Sequence, residues 1–409
     1  MIWLITLISI FLLPFFSPVL IQTGVLYLYG ALLICLLFTI LRSGTYFKKS
    51  HSCAMPLICF LSIAIITSFF AVSLRVAFYG TFYLILCAVI FASLAGLSLK
   101  KKKQIGLVFI GATFFISVIA LLQRFFYFDK VIPYMISQKP FMDSTEFFYL
   151  MDIIKMKRVI SIFTTPNLLA SYLVMINLLT LGYIYSYERK RYIILFTCSF
   201  IINSYCLWLT GSFMGIVSFI IGFLLFAIML FIKNREKFMR LLPILALLAL
   251  GALIMLTALI SQRCAGMLYR YNLSFSLAER MRLWRFTSGI ISDRLWSFSG
   301  PGNFANICRT YITANTPNST MAHNLFMQLW IELGFYGLAT FVWFLIVLMR
   351  DGFKNIFNKS TSLPSSILRI GAFSAIVAFL LQNMGGFSFF VPQIAIIWWI
   401  LCAFLIDNE

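Results

Sequence analysis

The sequence predicts an all-α, polytopic helical membrane protein of about twelve spans with a large outer loop. Three observations carry that expectation. The composition is 62% hydrophobic and only 11% charged, with a mean hydropathy of +0.98, whereas a soluble domain is roughly 25% charged. Apolar runs of the ~17–25 residues that a bilayer core requires recur along the whole length. No strict alternation of apolar and polar residues competes with them, which argues against a β-barrel.

Taken in order, the runs place helices near 2 to 20, 25 to 41, 55 to 72, 77 to 99, 105 to 123, 168 to 187, 192 to 211, 212 to 232, 241 to 260, 335 to 349, 367 to 385 and 387 to 406. The first has no basic stretch before it and no small-residue cleavage site after it, so it reads as a retained helix rather than a signal peptide. Every second loop is short and basic: Arg42, Lys48 and Lys49, then Lys100 to Lys103, then Glu188 to Arg191. The series continues with Lys233, Arg235, Lys237 and Arg240, and then with Arg350, Lys354 and Lys359. By the positive-inside rule these loops and both termini are cytoplasmic, which turns segments 124–167 and 261–323 toward the periplasmic face of a bacterial inner membrane. With no repeat, low-complexity tract or soluble insertion, 1–409 reads as a single integral membrane domain carrying these two outer loops.

A net charge of +20 would point a soluble protein toward nucleic acid, but here the basic residues sit in short loops where topology accounts for them, so nucleic acid is excluded as a partner. Most of the nine cysteines fall inside apolar runs, where cysteine acts as a small hydrophobe. Cys264 and Cys308 lie in the second outer loop. An oxidising periplasm would permit a disulfide between them, and two cysteines give no spacing signal for a framework or a metal site.

The chemistry concentrates between Ser261 and Gly337, which holds seven arginines, no lysine, and His323. Arginines on the translocated side work against the preferred orientation, and few acids, Glu279 and Asp293, accompany them; an anionic ligand accounts for the cluster. Arginine's planar fork suits bidentate contact with phosphate. The other histidine, His51, sits in a basic cytoplasmic loop as a solvated residue. If the stretch after Met321 is helical at about 100° per residue, His323, Met327, Trp330 and Gly334 share a face, where the glycine admits a second backbone, and Glu332 lies roughly opposite His323. Metal ligation finds no support in Asp-x-Asp or His-Glu-x-x-His spacing, and neither a serine elbow nor a phosphate-binding glycine loop is present.

The pattern His323-Asn324-x9-Gly334-x2-Gly337, preceded by Arg280-Met-Arg282-Leu-Trp284-Arg285 and by Gly300-Pro301-Gly302-Asn303-Phe304, resembles the bacterial O-antigen ligase and polymerase family. A further block, Arg158-x4-Phe163-x2-Pro166-Asn167, is similar to that family's segment opening a helix. The resemblance implies a membrane glycosyltransferase that moves a glycan from an undecaprenyl-diphosphate-linked donor to an acceptor hydroxyl in the periplasm, inverting the anomeric centre and needing no metal or other cofactor. It implies His323 as the base and Arg280, foremost among Arg280, Arg282, Arg285, Arg158 and Asn324, as substrate-binding residues. One departure stands out: the family's Thr-x-Ser-Arg segment reads Thr210-Gly211-Ser212-Phe213 here, so one expected phosphate contact is missing, with Arg285, Arg158 or Arg124 to replace it. Pro166, Asn167 and the Gly300–Gly302 turn read as backbone shaping, and Trp284 and Phe304 as interfacial anchors.

Three acceptors remain open under that resemblance: lipid A core for a ligase, a growing polysaccharide for a repeat-unit polymerase, or a protein for an O-oligosaccharyltransferase. The ligase is favoured by the single dominant outer loop. A polysaccharide transporter or flippase is the competing class, but it would carry mid-bilayer ionisable groups and internal symmetry, and neither is apparent.

Overall fold

The computed structural model describes residues 2–15, 52–142, 144–243, 273–311 and 319–406. It is an all-α bundle with no strand among the described residues. The expected span at 25–41, nearly all of that at 241–260, His51 and Cys264 lie outside the described residues.

In chain order the helices are α1 (Ile2–Leu12), α2 (Ala54–Phe69), α3 (Leu74–Ala95), α4 (Leu99–Leu122), α5 (Phe128–Gln138), α6 (Ser144–Lys155), α7 (Pro166–Ser186) and α8 (Lys190–Leu209). There follow α9 (Phe213–Lys233), α10 (Arg235–Met239), α11 (Leu273–Asp293), α12 (Phe304–Thr310), α13 (Leu325–Phe357), α14 (Leu363–Gln382) and α15 (Pro392–Phe404). Among the described residues seven helical segments are long and apolar enough to cross a bilayer, which makes the protein multi-pass. Where loops were expected at 124–167 and 261–323, a wide π-type turn at Gln123–Tyr127 leads into α5 and α6, and α11 and α12 fill part of the second segment. Those helices are too polar to register as apolar runs.

The centre of the bundle is α7 against α14, antiparallel and nearly without side chains between them. A Cβ on Gly371 would lie 2.9 Å from the Cα of Gly182. α9 joins them equally tightly, since a Cβ on Gly222 would meet Leu178 at 2.5 Å and Ala378 at 2.8 Å. In lipid, where no hydrophobic force draws helices together, such close backbone approach supplies the dispersion contacts that do. It also fixes which residues meet at the helix ends: the start of α7, the start of α9 and the end of α14.

The two ends of the bundle differ in chemistry. At one end, basic and amide side chains donate to the carbonyls that close neighbouring helices, which a helix C-terminus leaves unpaired and electronegative. Buried Lys102 Nζ donates to Ala95 O and Ile406 O at 3.1 and 2.9 Å. Lys233 Nζ donates to Ile356 O at 2.7 Å, Lys237 Nζ to Tyr185 O at 2.7 Å, and Asn355 Nδ2 to Leu405 O at 2.8 Å. The other end carries the starts of α7, α9 and α13 together with α11 and α12.

At that second end α13 begins at Leu325, ten positions ahead of the expected 335, and His323 is outside it. Asn324 is its cap, with Oδ1 accepting from Phe326 N at 3.0 Å and Met327 N at 3.2 Å. The expected helical face running from His323 to Gly334 therefore does not form: His323 has φ 49° and precedes the cap. Gly334, with φ 71° and ψ −179°, opens the helix in a conformation essentially reserved for glycine. There the Ser299 and Gly300 amides donate to the carbonyls of Ile331 and Glu332 at 3.0 and 2.9 Å, the close backbone approach that the glycine was expected to admit.

Candidate active site

His323 is held from three sides. Its carbonyl accepts from Trp284 Nε1 on α11 at 3.3 Å, the preceding Ala322 amide donates to Gln328 Oε1 at 3.2 Å, and Asn324 begins α13. Gln328 is itself fixed, because its Nε2 donates to Glu332 Oε1 at 3.0 Å while Glu332 Oε2 accepts from Gly302 N at 2.8 Å. Glu332 thus reaches the histidine through the backbone at Ala322 and not through the ring, and the Gly300–Gly302 turn is the far anchor of that chain. Trp284, expected as an interfacial anchor, clamps this backbone through its indole N–H. Phe304 is fully buried in a small outer core with Leu283, Ile290 and Ile331, which seats α11 and α12 against the start of α13.

The imidazole stands edge-on to Phe387, ring centroids 5.0 Å apart. Among the described residues nothing hydrogen-bonds its ring nitrogens. It lines a small pocket with Arg280, Asn167, Leu168, Ser171, Ser212, Met214, Gln382, Gly385, Gly386, Phe387 and Ser388. Burial first, and then the charge of Arg280, push the imidazole down to about 4, so it is neutral at physiological pH and able to accept a proton.

Arg280 is half-buried on α11, and among the described residues no carboxylate pairs with it. Its ionisation is disfavoured by burial and secondly by the charge of Arg158, although a guanidinium remains protonated. Two like charges therefore lie near one another, Arg280 lining the pocket and Arg158 just outside its lining. Arg158 is oriented by its Nε, which donates to Thr210 O at 2.9 Å beside the start of α9. Arg282 and Arg285 are exposed on α11, Arg282 lying 3.9 Å from Glu279, and neither lines the pocket. Arg124 braces the backbone before Arg158, donating to Lys157 O at 2.8 Å and Met156 O at 3.3 Å. Of the arginines considered as a replacement for the contact missing at Phe213, Arg158 is the one beside Arg280; Phe213 itself is exposed.

Sequence reasoning missed the α14 side of the pocket. Gln382, Phe387 and Ser388 sit more than fifty positions after His323 in an otherwise apolar stretch, and no spacing links them to it. They are brought in by Leu325 N donating to Asn383 O at 2.9 Å and by the α7–α14 pair. Pro166 and Thr165 shape the start of α7 as expected, Thr165 Oγ1 accepting from Leu168 N at 3.3 Å, and Asn167 also lines the pocket. Cys308 is buried in the outer core, its thiol pushed up to about 12 by burial.

Residues 198–342 match the family model for O-antigen ligase. The match runs from the middle of α8 to the middle of α13 and contains Arg280, the Gly300–Gly302 turn, His323 and Gly334, so the family resemblance drawn from those motifs is borne out. Arg158 and Gln382 lie outside it. No curated protein matches the chain. The match supports a multi-pass bacterial membrane glycosyltransferase of the O-antigen ligase and polymerase type.

Proposed function

We propose that this chain, with its O-antigen ligase match over residues 198–342, transfers a glycan from undecaprenyl diphosphate to a hydroxyl of lipid A core at the periplasmic face of the inner membrane. The observation that carries the reading is the pairing of His323 with Arg280 in one pocket. His323 takes the proton of the acceptor hydroxyl as its oxygen attacks the anomeric carbon. The bond to the diphosphate breaks, and Arg280 with Arg158 beside it holds the leaving anion. Direct displacement inverts the anomeric centre.

The low basicity of His323 fits this sequence of events. Burial and Arg280 keep the ring neutral; a diphosphate seated against Arg280 offsets that positive charge and raises the proton affinity of the base when it is needed. The outward orientation is supported by the lysines that close helix ends at the opposite end of the bundle, as the positive-inside rule asks of a cytoplasmic face.

The test is transfer by the purified protein from a polyprenyl-diphosphate-linked glycan to a lipid A core acceptor. His323→Ala should lower the rate by about 10²–10⁴-fold, the usual contribution of a general base, with membrane levels unchanged. Elongation of the donor glycan without capture by lipid A core would instead mark a repeat-unit polymerase. Transfer to a secreted protein would mark an O-oligosaccharyltransferase.

A further inference from the structure

Most polar side chains around the pocket already have partners. Ser212 Oγ accepts from Gly215 N at 3.3 Å as the cap of α9. Ser171 Oγ donates to Asn167 O at 3.0 Å and meets Ser388 Oγ at 2.5 Å. Gln382 differs. Its Nε2 donates to Asn167 O at 3.4 Å, which fixes the amide so that Oε1 is the atom left over. The residue is only 3% exposed, and that oxygen has no hydrogen-bond partner among the described residues. Native proteins rarely leave a buried acceptor unfilled, and the exceptions tend to be functional.

The chemistry of the missing partner is constrained. A carboxamide oxygen only accepts, so it repels phosphate oxygens and leaves the diphosphate to Arg280 and Arg158. Gln382 shares the pocket lining with His323 and Arg280, next to Gly385 and Gly386, where Gly385 is covered by the flexible side chain of Met214. What suits the position is a neutral O–H donor arriving with substrate. We propose that Gln382 is a sugar-recognition residue, its Oε1 accepting from a hydroxyl of a carbohydrate substrate bound between it and the His323–Arg280 pair. This rests on the transferase reading above. The hydroxyl belongs to the transferred glycan or to the acceptor sugar, and the two share the same recognition chemistry.

Two series of monodeoxy substrates test it with the full-length protein in lipid nanodiscs: a polyprenyl-diphosphate-linked disaccharide donor lacking one hydroxyl at a time, and a lipid A core acceptor treated likewise. The wild type should lose about 10- to 100-fold in kcat/KM for one analogue in one series, the effect of leaving a buried acceptor unpaired. Loss in the donor series assigns the hydroxyl to the transferred glycan, and loss in the acceptor series to the acceptor. Gln382→Met should be low on the parent substrate and indifferent to that analogue, whereas Gln382→Glu, which keeps an accepting oxygen, should still discriminate. Equal transfer of every analogue by the wild type, or wild-type discrimination in Gln382→Met, overturns the assignment and leaves the transferase reading standing. If Gln382→Met does not reach the membrane, the wild type and Gln382→Glu decide it. No transfer by the wild type from the parent donor takes down both readings.

Discussion

Trp284 Nε1 donates to the backbone carbonyl of His323 at 3.3 Å, so the helix that supplies Arg280 also holds the histidine's main chain. His323 sits at φ 49°, a conformation that L-residues adopt at a cost and keep only when their surroundings enforce it. Trp284→Phe retains most of the ring and removes the donor. The loss of about 1 kcal/mol corresponds to about a fivefold fall in kcat. Donor KM should stay level, and steady-state kinetics on the two proteins check both numbers.

The depressed basicity of His323 has a signed consequence for pH. The ring must be neutral to act, and with its pKa at about 4 it stays neutral well below the usual histidine range, so the acid limb of kcat/KM should fall near pH 4 rather than near 6.5. Removing the positive neighbour with Arg280→Gln should move the ring's titration upward, and only part of the way, since burial is the larger cause. Titration of the ring by NMR in a His51→Gln background, which leaves one histidine, reads the shift independently of turnover.

The arginines of α11 should separate cleanly. Arg280→Lys keeps the charge but loses the fork, and transfer should fall by about 10²-fold. Arg282→Ala and Arg285→Ala, both exposed and away from the pocket, should stay within about twofold of wild type, as solvent-exposed charges contribute little. The rates of the three variants at equal membrane levels decide between a cluster and a single clamp.

Gly334→Ala should destabilise the protein by about 1–3 kcal/mol, because φ 71° with ψ −179° is foreign to any side chain. The added Cβ would also press on Ser297 O at 3.3 Å. A lowered thermal midpoint in detergent, with activity falling in step, is the expected result.

Reporter fusions ending within Lys100–Lys103 or Arg235–Lys237 should report cytoplasm, and those ending at Ser274 or Asn315 periplasm. A cytoplasmic signal at Asn315 would put His323 on the wrong face for an exported donor.

The spanning helices were legible wherever a run of apolar residues was long enough, and α7, α8, α9 and α14 lie within a few residues of their expected ends. The start of α13 was not. Gln328, Glu332 and Gly334 interrupt its hydrophobicity, and only the folded chain reveals that Glu332 is satisfied by Gln328 and by the Gly302 amide. Arg280 and His323 were singled out within one segment by the family resemblance, and the folded chain puts both on one pocket. Their separation from Arg282 and Arg285 was not legible, because it depends on which face of α11 packs against the outer core. Gln382 carried no signal at all: a lone amide at the end of an apolar helix gains meaning only from the carbonyl of Asn167, more than two hundred positions earlier.

The lysine ties at one end of the bundle set where the molecule can yield. Lys102, Lys233 and Lys237 each fasten the last carbonyls of a different helix, whereas the pocket end is closed by turns, caps and amide ties such as Gln382 Nε2 to Asn167 O and Leu325 N to Asn383 O. A bundle whose lysine ties outlast those neutral amide ties would open like a clothes-peg, by spreading at the pocket end. A lipid-borne substrate would then enter sideways from the adjacent leaflet and leave the same way, with no path ever continuous to the opposite face. Hydrogen exchange would show it as early labelling around the starts of α9, α11 and α13 and late labelling at the lysine end.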